Sequence, residues 1–305
     1  TRTDFNRYMM LTYNPASFIP SKAKGSLVWD KKNKKYIDFA SGIAVSSLGH
    51  CHPELNKALV DQSKKMWHLS NVLMNEPAIR LAKIFCKNTF AEKVFFANSG
   101  AEAVEGAIKT ARKYAYENIS KKKNGIVSFS DAFHGRTMMA IALNGSERFV
   151  KGFGPMPGGI KNHPFNETKN LEKAITKNTA AVIIELVQGE AGIIKAKKDF
   201  IQKIKKLCKE NKVLIIVDEV QSGAGRTGTL FAYEQFGIKP DIMCCAKGIG
   251  GGIPIAAVLT TTKIAKSMEI GSHGTTFGGN PLACAVAEKV MTLLTKKMLL
   301  NGVKK

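Results

Sequence analysis

The chain predicts an α/β fold built on one mostly parallel sheet with helices on both faces. Three observations carry this reading. Six apolar, β-branched runs of strand length recur along the 305 residues, helix-periodic segments lie between several of them, and 44% hydrophobic with 23% charged residues suffice for a large core.

In chain order, the first forty residues, including SLVWDKKNKKYIDFA, read as a short hairpin meander around a lysine-rich turn, outside the main alternation. Buried strands are expected at VFFA from Val94, GIVSFS from Gly125, AAVIIELV from Ala180, VLIIVDEV from Val213, DIMCCAK from Asp241 and AAVLTT from Ala256. A helix follows Asn98, because Ala103, Ala107 and Ala111 recur every four residues with Val104 and Ile108 beside them. Another runs from Lys198 to Glu210, with Phe200, Ile201, Ile204, Leu207 and Cys208 as its apolar stripe.

The net charge of +22 invites a nucleic-acid reading. Its distribution opposes that: lysines scatter over helix surfaces (Lys203, Lys205, Lys206, Lys209) and turns (Lys121, Lys122, Lys123), and arginine, which reads bases bidentately, is scarce. A solvated, lysine-biased surface without nucleic-acid partners is expected. The six cysteines show no CxxC spacing, so neither disulfides nor a zinc site is expected, nor any other metal. No run of eighteen apolar residues occurs and the amino terminus lacks a secretory signal's apolar core, so a cytoplasmic protein without a membrane partner is expected.

Two positions carry the chemistry. Asp218 closes the strand VLIIVD, and a buried carboxylate is costly unless a cation or strong donor meets it. Lys247 follows the next apolar run, in front of the glycine cluster GIGGG. A protonated pyridine nitrogen at Asp218 and an amine at Lys247 are what pyridoxal phosphate needs for a Schiff base on an electron-withdrawing ring. Asn98-Ser99-Gly100-Ala101 joins a strand to a helix, whose first turn offers free N–H groups and a positive dipole end to a phosphate. A plain N-cap at Ser99 explains that segment equally well. Gly223-Ala224-Gly225-Arg226-Thr227-Gly228 matches a dinucleotide fingerprint and keeps a dehydrogenase as the rival class. The fingerprint wants a tight strand-to-helix turn, whereas Asp218, Glu219 and Gln221 intervene here and GTLFAYEQFG lacks a long small-residue helix face.

Seven motifs in order, DFASGIAVSSLGHCHPEL from Asp38, NSGAEAVEGAIKTAR from Asn98, FHGRT from Phe133, ELVQGEAG from Glu185, DEVQSGAGRTG from Asp218, AKGIGGGIPIAAV from Ala246 and HGTTFGGNPLACAVA from His273, span almost the whole chain. With these the sequence resembles class III, fold-type I, pyridoxal-phosphate aminotransferases. The resemblance implies a large cofactor-binding domain over 46–285, an N-terminal segment of a small domain over 1–45, and the start of a connecting helix over 286–305 leading to a missing C-terminal small domain.

By the same resemblance Lys247 holds the cofactor and moves the proton, and Asp218 pairs with the ring nitrogen. Val220 and Phe133 cover the two ring faces, Gln221 approaches the phenolic oxygen, and Glu219 supports the surrounding network. Ser99, Gly100 and Ala101 hold the phosphate, with Thr276 contributing from a neighbouring subunit, which implies a homodimer with shared sites. Arg136 would clamp the substrate α-carboxylate, Thr275 would reach substrate across the dimer, and Glu190 would be the switch carboxylate that pairs with a C-terminal arginine. His134 is read as structural. That arginine and its domain have no counterpart in these 305 residues, so the substrate side is expected to be open to water, and an inactive truncated remnant is the further alternative. The implied reaction moves the ω-amino group of N2-acetylornithine to 2-oxoglutarate, giving glutamate and N-acetylglutamate semialdehyde; ornithine, succinyldiaminopimelate and 4-aminobutyrate are alternative donors.

Overall fold

A computed structural model describes residues Thr1–Lys305. Its centre is a seven-stranded sheet. In chain order the strands are β1 (Pro20–Lys24), β2 (Leu27–Asp30), β3 (Lys35–Ile37), β4 (Lys93–Ala97), β5 (Gly125–Phe129), β6 (Ile160–His163), β7 (Thr179–Ile184), β8 (Val187–Gln188), β9 (Ile194–Lys195), β10 (Leu214–Asp218), β11 (Ile242–Cys245) and β12 (Ala256–Thr260). The large sheet has the order β4-β12-β11-β10-β7-β5-β6, with β12 antiparallel to both neighbours and the remaining pairs parallel. Every residue of β7, β10, β11 and β12 is buried, as expected of strands covered on both faces. The six expected strands are present, and β6 is an addition. Its residues Ile160-Lys161-Asn162-His163 form an edge with a single neighbour, where polar side chains are tolerated and an apolar run is not required.

The helix Gly100–Asn118 lies on one face, burying Ala103, Val104, Ala107, Ile108, Ala111 and Ala115 against β7, β11 and β12. The helix Lys198–Asn211 lies on the other, burying its stripe of Phe200, Ile201, Ile204, Leu207 and Cys208. Each such large apolar side chain contributes about 1.5–3 kcal/mol on leaving water, which fixes the helices more firmly than their propensities do. The meander is a separate antiparallel sheet, β1-β2-β3.

The helix Pro281–Leu294 runs unbroken through position 286 and packs on the helices Glu76–Asn88 and Pro53–Ser63, burying Val286, Val290 and Met291 in the core.

One surface assignment is corrected. Lys123 is only 1% exposed, and its ammonium donates to the carbonyls of Lys177 at 3.0 Å and Asn211 at 2.7 Å. It plugs the C-terminal end of the helix Lys198–Asn211, where unpaired carbonyls and the dipole favour a cation. All six cysteines are free thiols, and no helix is long and apolar enough to cross a membrane.

Candidate active site

Because β12 alone is reversed, the C-terminal ends of β4, β5, β7, β10 and β11 meet at one edge, where open α/β sheets bind ligands. There a cleft of about 340 Å³ is lined by Ser99, Gly100 and Ala101 after β4, Phe133 after β5, Asp218 and Val220 at the end of β10, and Lys247 after β11. Asp218 and Lys247, which follow Ala101 by 117 and 146 residues in the sequence, thus share one cavity with the Ser99–Ala101 turn by topology.

Asp218 is 3% exposed. Its Oδ1 accepts from the Val220 N–H at 2.9 Å, and its Oδ2 lies 2.7 Å from His134 Nδ1. Burial pushes the His134 imidazole down, but the hydrogen bond and charge of Asp218 outweigh it and the net direction is up. His134 is therefore tied to the carboxylate through a buried bond, a role the local sequence does not reveal, while its Nε2 has no partner. Glu185 is the other residue the sequence reading passed over. The register pairs Val217 with Ile184, so the next residues, Asp218 and Glu185, leave adjacent strand ends together. Burial raises the Glu185 carboxyl to about 7, and its Oε2 accepts from the Phe133 N–H at 2.8 Å, anchoring the loop that carries Phe133 and His134.

Lys247 is half-buried. Burial lowers its pKa from the ordinary 10.5, and the charges of Asp218, Glu190 and Glu185 oppose that shift. Its backbone sits at φ 45°, a left-handed conformation that costs a non-glycine residue about 1–3 kcal/mol and is held only where the surroundings over-determine it. The surroundings do so: Ser47 Oγ donates to the Gly248 carbonyl at 2.8 Å, and a side chain on Gly248 would meet the Ala224 Cβ at 2.8 Å. Ser41, Gly42, Ile43 and Ala44, with φ of 53°, 63°, 59° and 65°, form a left-handed turn leading to Val45 on the cleft wall.

At the helix start Ser99 is an N-cap, its hydroxyl accepting from the Glu102 N–H at 3.3 Å. That leaves the Gly100 and Ala101 N–H groups without intrahelical partners beside the cleft. A Cβ on Gly100 would stand 2.7 Å from Val220 Cγ1, so glycine keeps this approach open.

The other expected residues lie apart from these. Glu219 points to the opposite side of the strand from Asp218, buried, accepting from Ser222 Oγ and the Tyr233 N–H at 2.7 Å each. It supports the surrounding network and does not line the cleft. Gln221 lies across Gly189 and donates to Glu190 Oε1 at 3.1 Å. Arg136 stands outside the cleft wall, its guanidinium 4.5 Å from the Phe149 ring centre and 5.3 Å from that of Phe133. Glu190 and Phe149 line an adjoining cleft of about 520 Å³. Thr275 and the exposed Thr276 belong to a third hollow beyond the helix start. The glycine-rich run Gly223–Gly228 is followed by turns and the short 3-10 helix Ala232–Gln235, not by a phosphate-binding helix, which removes the dinucleotide reading.

The cleft fits a flat group with an anionic tail and a cationic ring. It offers N–H donors at a helix end, a buried carboxylate, an amine of lowered basicity, and apolar walls at Val220 and Phe133.

Comparison with known proteins bears on the same chemistry. The family model for aminotransferase class-III matches residues 8–305. The chain is 52% identical over 305 residues to the acetylornithine/succinyldiaminopimelate aminotransferase of Buchnera aphidicola subsp. Acyrthosiphon pisum, covering 100% of this chain and 75% of that protein. It is 51% identical over 310 residues to the succinylornithine transaminase of Yersinia pseudotuberculosis serotype O:1b, with the same coverage of 100% and 75%. Among solved structures, the ornithine aminotransferase of Toxoplasma gondii ME49 superposes with a TM-score of 0.94 at 33% identity, over 98% of this chain and 72% of that one. The N-acetylornithine aminotransferase of Stenotrophomonas maltophilia K279a gives 0.83 at 37% identity, over 100% and 74%. With its sheet, its cleft and these relatives in agreement, the chain belongs to the class-III aminotransferases and has the fold of fold-type I transferases.

Proposed function

We propose that this aminotransferase uses pyridoxal 5'-phosphate to move the ω-amino group of N2-acetylornithine to 2-oxoglutarate, giving glutamate and N-acetylglutamate semialdehyde. The observation that carries the reading is the single cleft shared by Lys247, Asp218 and the Gly100–Ala101 helix start. When bound, the cofactor supplies a carbonyl for the amine and a cationic ring that withdraws electrons from the reacting carbon. Gly100 and Ala101 would hold its phosphate through backbone N–H groups, and Ser99 secures the helix start that presents them. Asp218, oriented by His134 and the Val220 N–H, would meet the ring nitrogen with its carboxyl group. Val220 and Phe133 would enclose the ring, the latter positioned by Glu185. Lys247 Nζ, its neutral form favoured by burial, would move the proton from the substrate's amine-bearing carbon to the carbon that was the cofactor's carbonyl.

Arg136 is proposed as the α-carboxylate clamp, Glu190 as the carboxylate that responds to the ω-substituent, and Gln221 as the contact to the phenolic oxygen once released from Glu190. Thr275 and Thr276, which lie outside this chain's own cleft, would complete the site of a partner in a homodimer; the exposed Trp67, Val72, Met74 and Phe277 support such a surface. Free thiols at every cysteine support a reducing, cytoplasmic location. Residues 1–45 are proposed as part of a small domain. The relatives' names leave the acyl group open, since succinylornithine and succinyldiaminopimelate also occur among them. Glutamate formation from 2-oxoglutarate, assayed in parallel with acetylornithine, succinylornithine, succinyldiaminopimelate, ornithine and 4-aminobutyrate, is expected to give the highest kcat/KM with acetylornithine. A higher value for any other donor reassigns the substrate.

A further inference from the structure

Asn98 uses every donor it has. Its backbone N–H and one side-chain N–H both reach Glu102 Oε2, at 3.0 and 2.8 Å, while its Nδ2 also donates to Thr275 Oγ1 at 3.2 Å. Glu102 in turn lies in the first turn of the helix whose start faces the cleft. On the far side, Thr275 Oγ1 accepts from the Gly278 N–H at 3.2 Å as well, and Asn71 Nδ2 holds the carbonyls of Thr275 at 3.1 Å and Gly278 at 3.0 Å. The loop is pressed hard onto the end of β4: a Cβ on Gly278 would stand 2.5 Å from the Phe96 carbonyl oxygen. Thr276, one residue along, remains exposed, with no hydrogen bond from its side chain to this network.

We propose that Asn98 is a positioning residue that locks the phosphate-facing helix start to the loop Gly274–Gly278, so that the two set each other's geometry. This rests on the cofactor reading above and extends it to a residue that touches neither cofactor nor substrate. The physical basis is that the Gly100 and Ala101 N–H groups bind an anion well only if the turn before them is fixed in advance, and Asn98 is the side chain that fastens that turn from outside the helix. A second consequence follows from where the loop faces. If Thr275 and Thr276 serve a partner's cleft, the same amide joins one site to the other.

The test uses the full chain with pyridoxal phosphate as the probe. Asn98→Ala and Thr275→Val are each expected to raise the cofactor dissociation constant about tenfold, the double variant is expected to be no worse than the weaker single one, and Thr275→Ser is expected to stay within about twofold of the parent. Amide exchange in the cofactor-free protein is expected to speed up in both the 98–103 and the 273–279 segments of Asn98→Ala. Thr275→Val leaves the Asn98–Glu102 bonds in place, and faster amide exchange in its 98–103 segment, which a direct contact of Thr275 with a partner's site would not produce, decides the matter if Asn98→Ala does not fold. Additive losses in the double variant, or parent-like exchange in 273–279, overturn the proposal. Absence of cofactor binding in the parent refutes the cofactor reading instead, and the exchange comparison still decides whether the lock exists.

Discussion

Gly100→Ala tests the shape of the cleft where the helix start meets Val220. The added methyl would stand 2.7 Å from Val220 Cγ1 and 3.1 Å from Cγ2, where ordinary contacts begin at 3.4 Å, an overlap of about 0.7 Å with the nearer atom. Gly100 has an ordinary helical backbone, so the substitution gains helix propensity and the whole cost is steric. Val220 is β-branched and stiff at χ1, and its backbone N–H is committed to Asp218, so it yields poorly. Overpacking of this kind costs about 1–3 kcal/mol, and here it is expected to appear in cofactor affinity as well as in stability, because Val220 is pushed into the cleft. Urea unfolding and cofactor titration would be measured for Gly100→Ala, Val220→Ala and the pair. Val220→Ala removes both clashing methyls, leaving Cβ at 3.5 Å, so the double variant should recover about 1–2 kcal/mol relative to the sum of the singles. Strict additivity, or a Gly100→Ala protein indistinguishable from the parent, would refute the packing argument.

Gly189→Ala should behave differently. Its Cβ would fall 1.3 Å from Gln221 Oε1, but that atom is the end of a flexible side chain, so stability should change by less than about 1 kcal/mol while the Gln221–Glu190 bond is lost and kcat/KM falls; a destabilisation above about 3 kcal/mol by urea unfolding would contradict this. Glu219 is raised by burial from 4.5 to about 7, so it stays protonated in the folded chain after the unfolded chain has ionised, and stability is lost as pH rises across that window. The gap corresponds to at most about 3 kcal/mol, so Glu219→Gln should gain on the parent by up to that amount between pH 5 and pH 8. A pH-independent difference in urea unfolding would show that the carboxyl ionises freely.

What the sequence reveals and what it hides have physical reasons. β7, β10 and β11 are legible because strands buried on both faces must be apolar throughout; β6 is not, because an edge with one neighbour can be Ile-Lys-Asn-His. The reversal of β12 leaves no mark in its composition, yet it determines which strand ends share the edge. Asp218 and Lys247 are legible because a carboxylate and an amine at the ends of apolar runs demand partners. Glu185 and His134 emerge only from register and loop path, and Glu219 separates from Asp218 only by the alternation of side chains across a strand. The left-handed turn at Ser41–Ala44 contains a single glycine, so nothing in its residue types announces it. Lys123 hides in a run of three lysines whose neighbours are exposed.

The central claim is that one amine, at the end of β11 and opposite Asp218, receives the cofactor. The direct measurement is borohydride reduction of the chain mixed with pyridoxal phosphate, followed by peptide mass analysis. A pyridoxyl group confined to Lys247, and absent in Lys247→Ala, is the predicted result. A folded parent protein that carries the group elsewhere, or a Lys247→Ala variant that still forms glutamate from acetylornithine, would contradict the account.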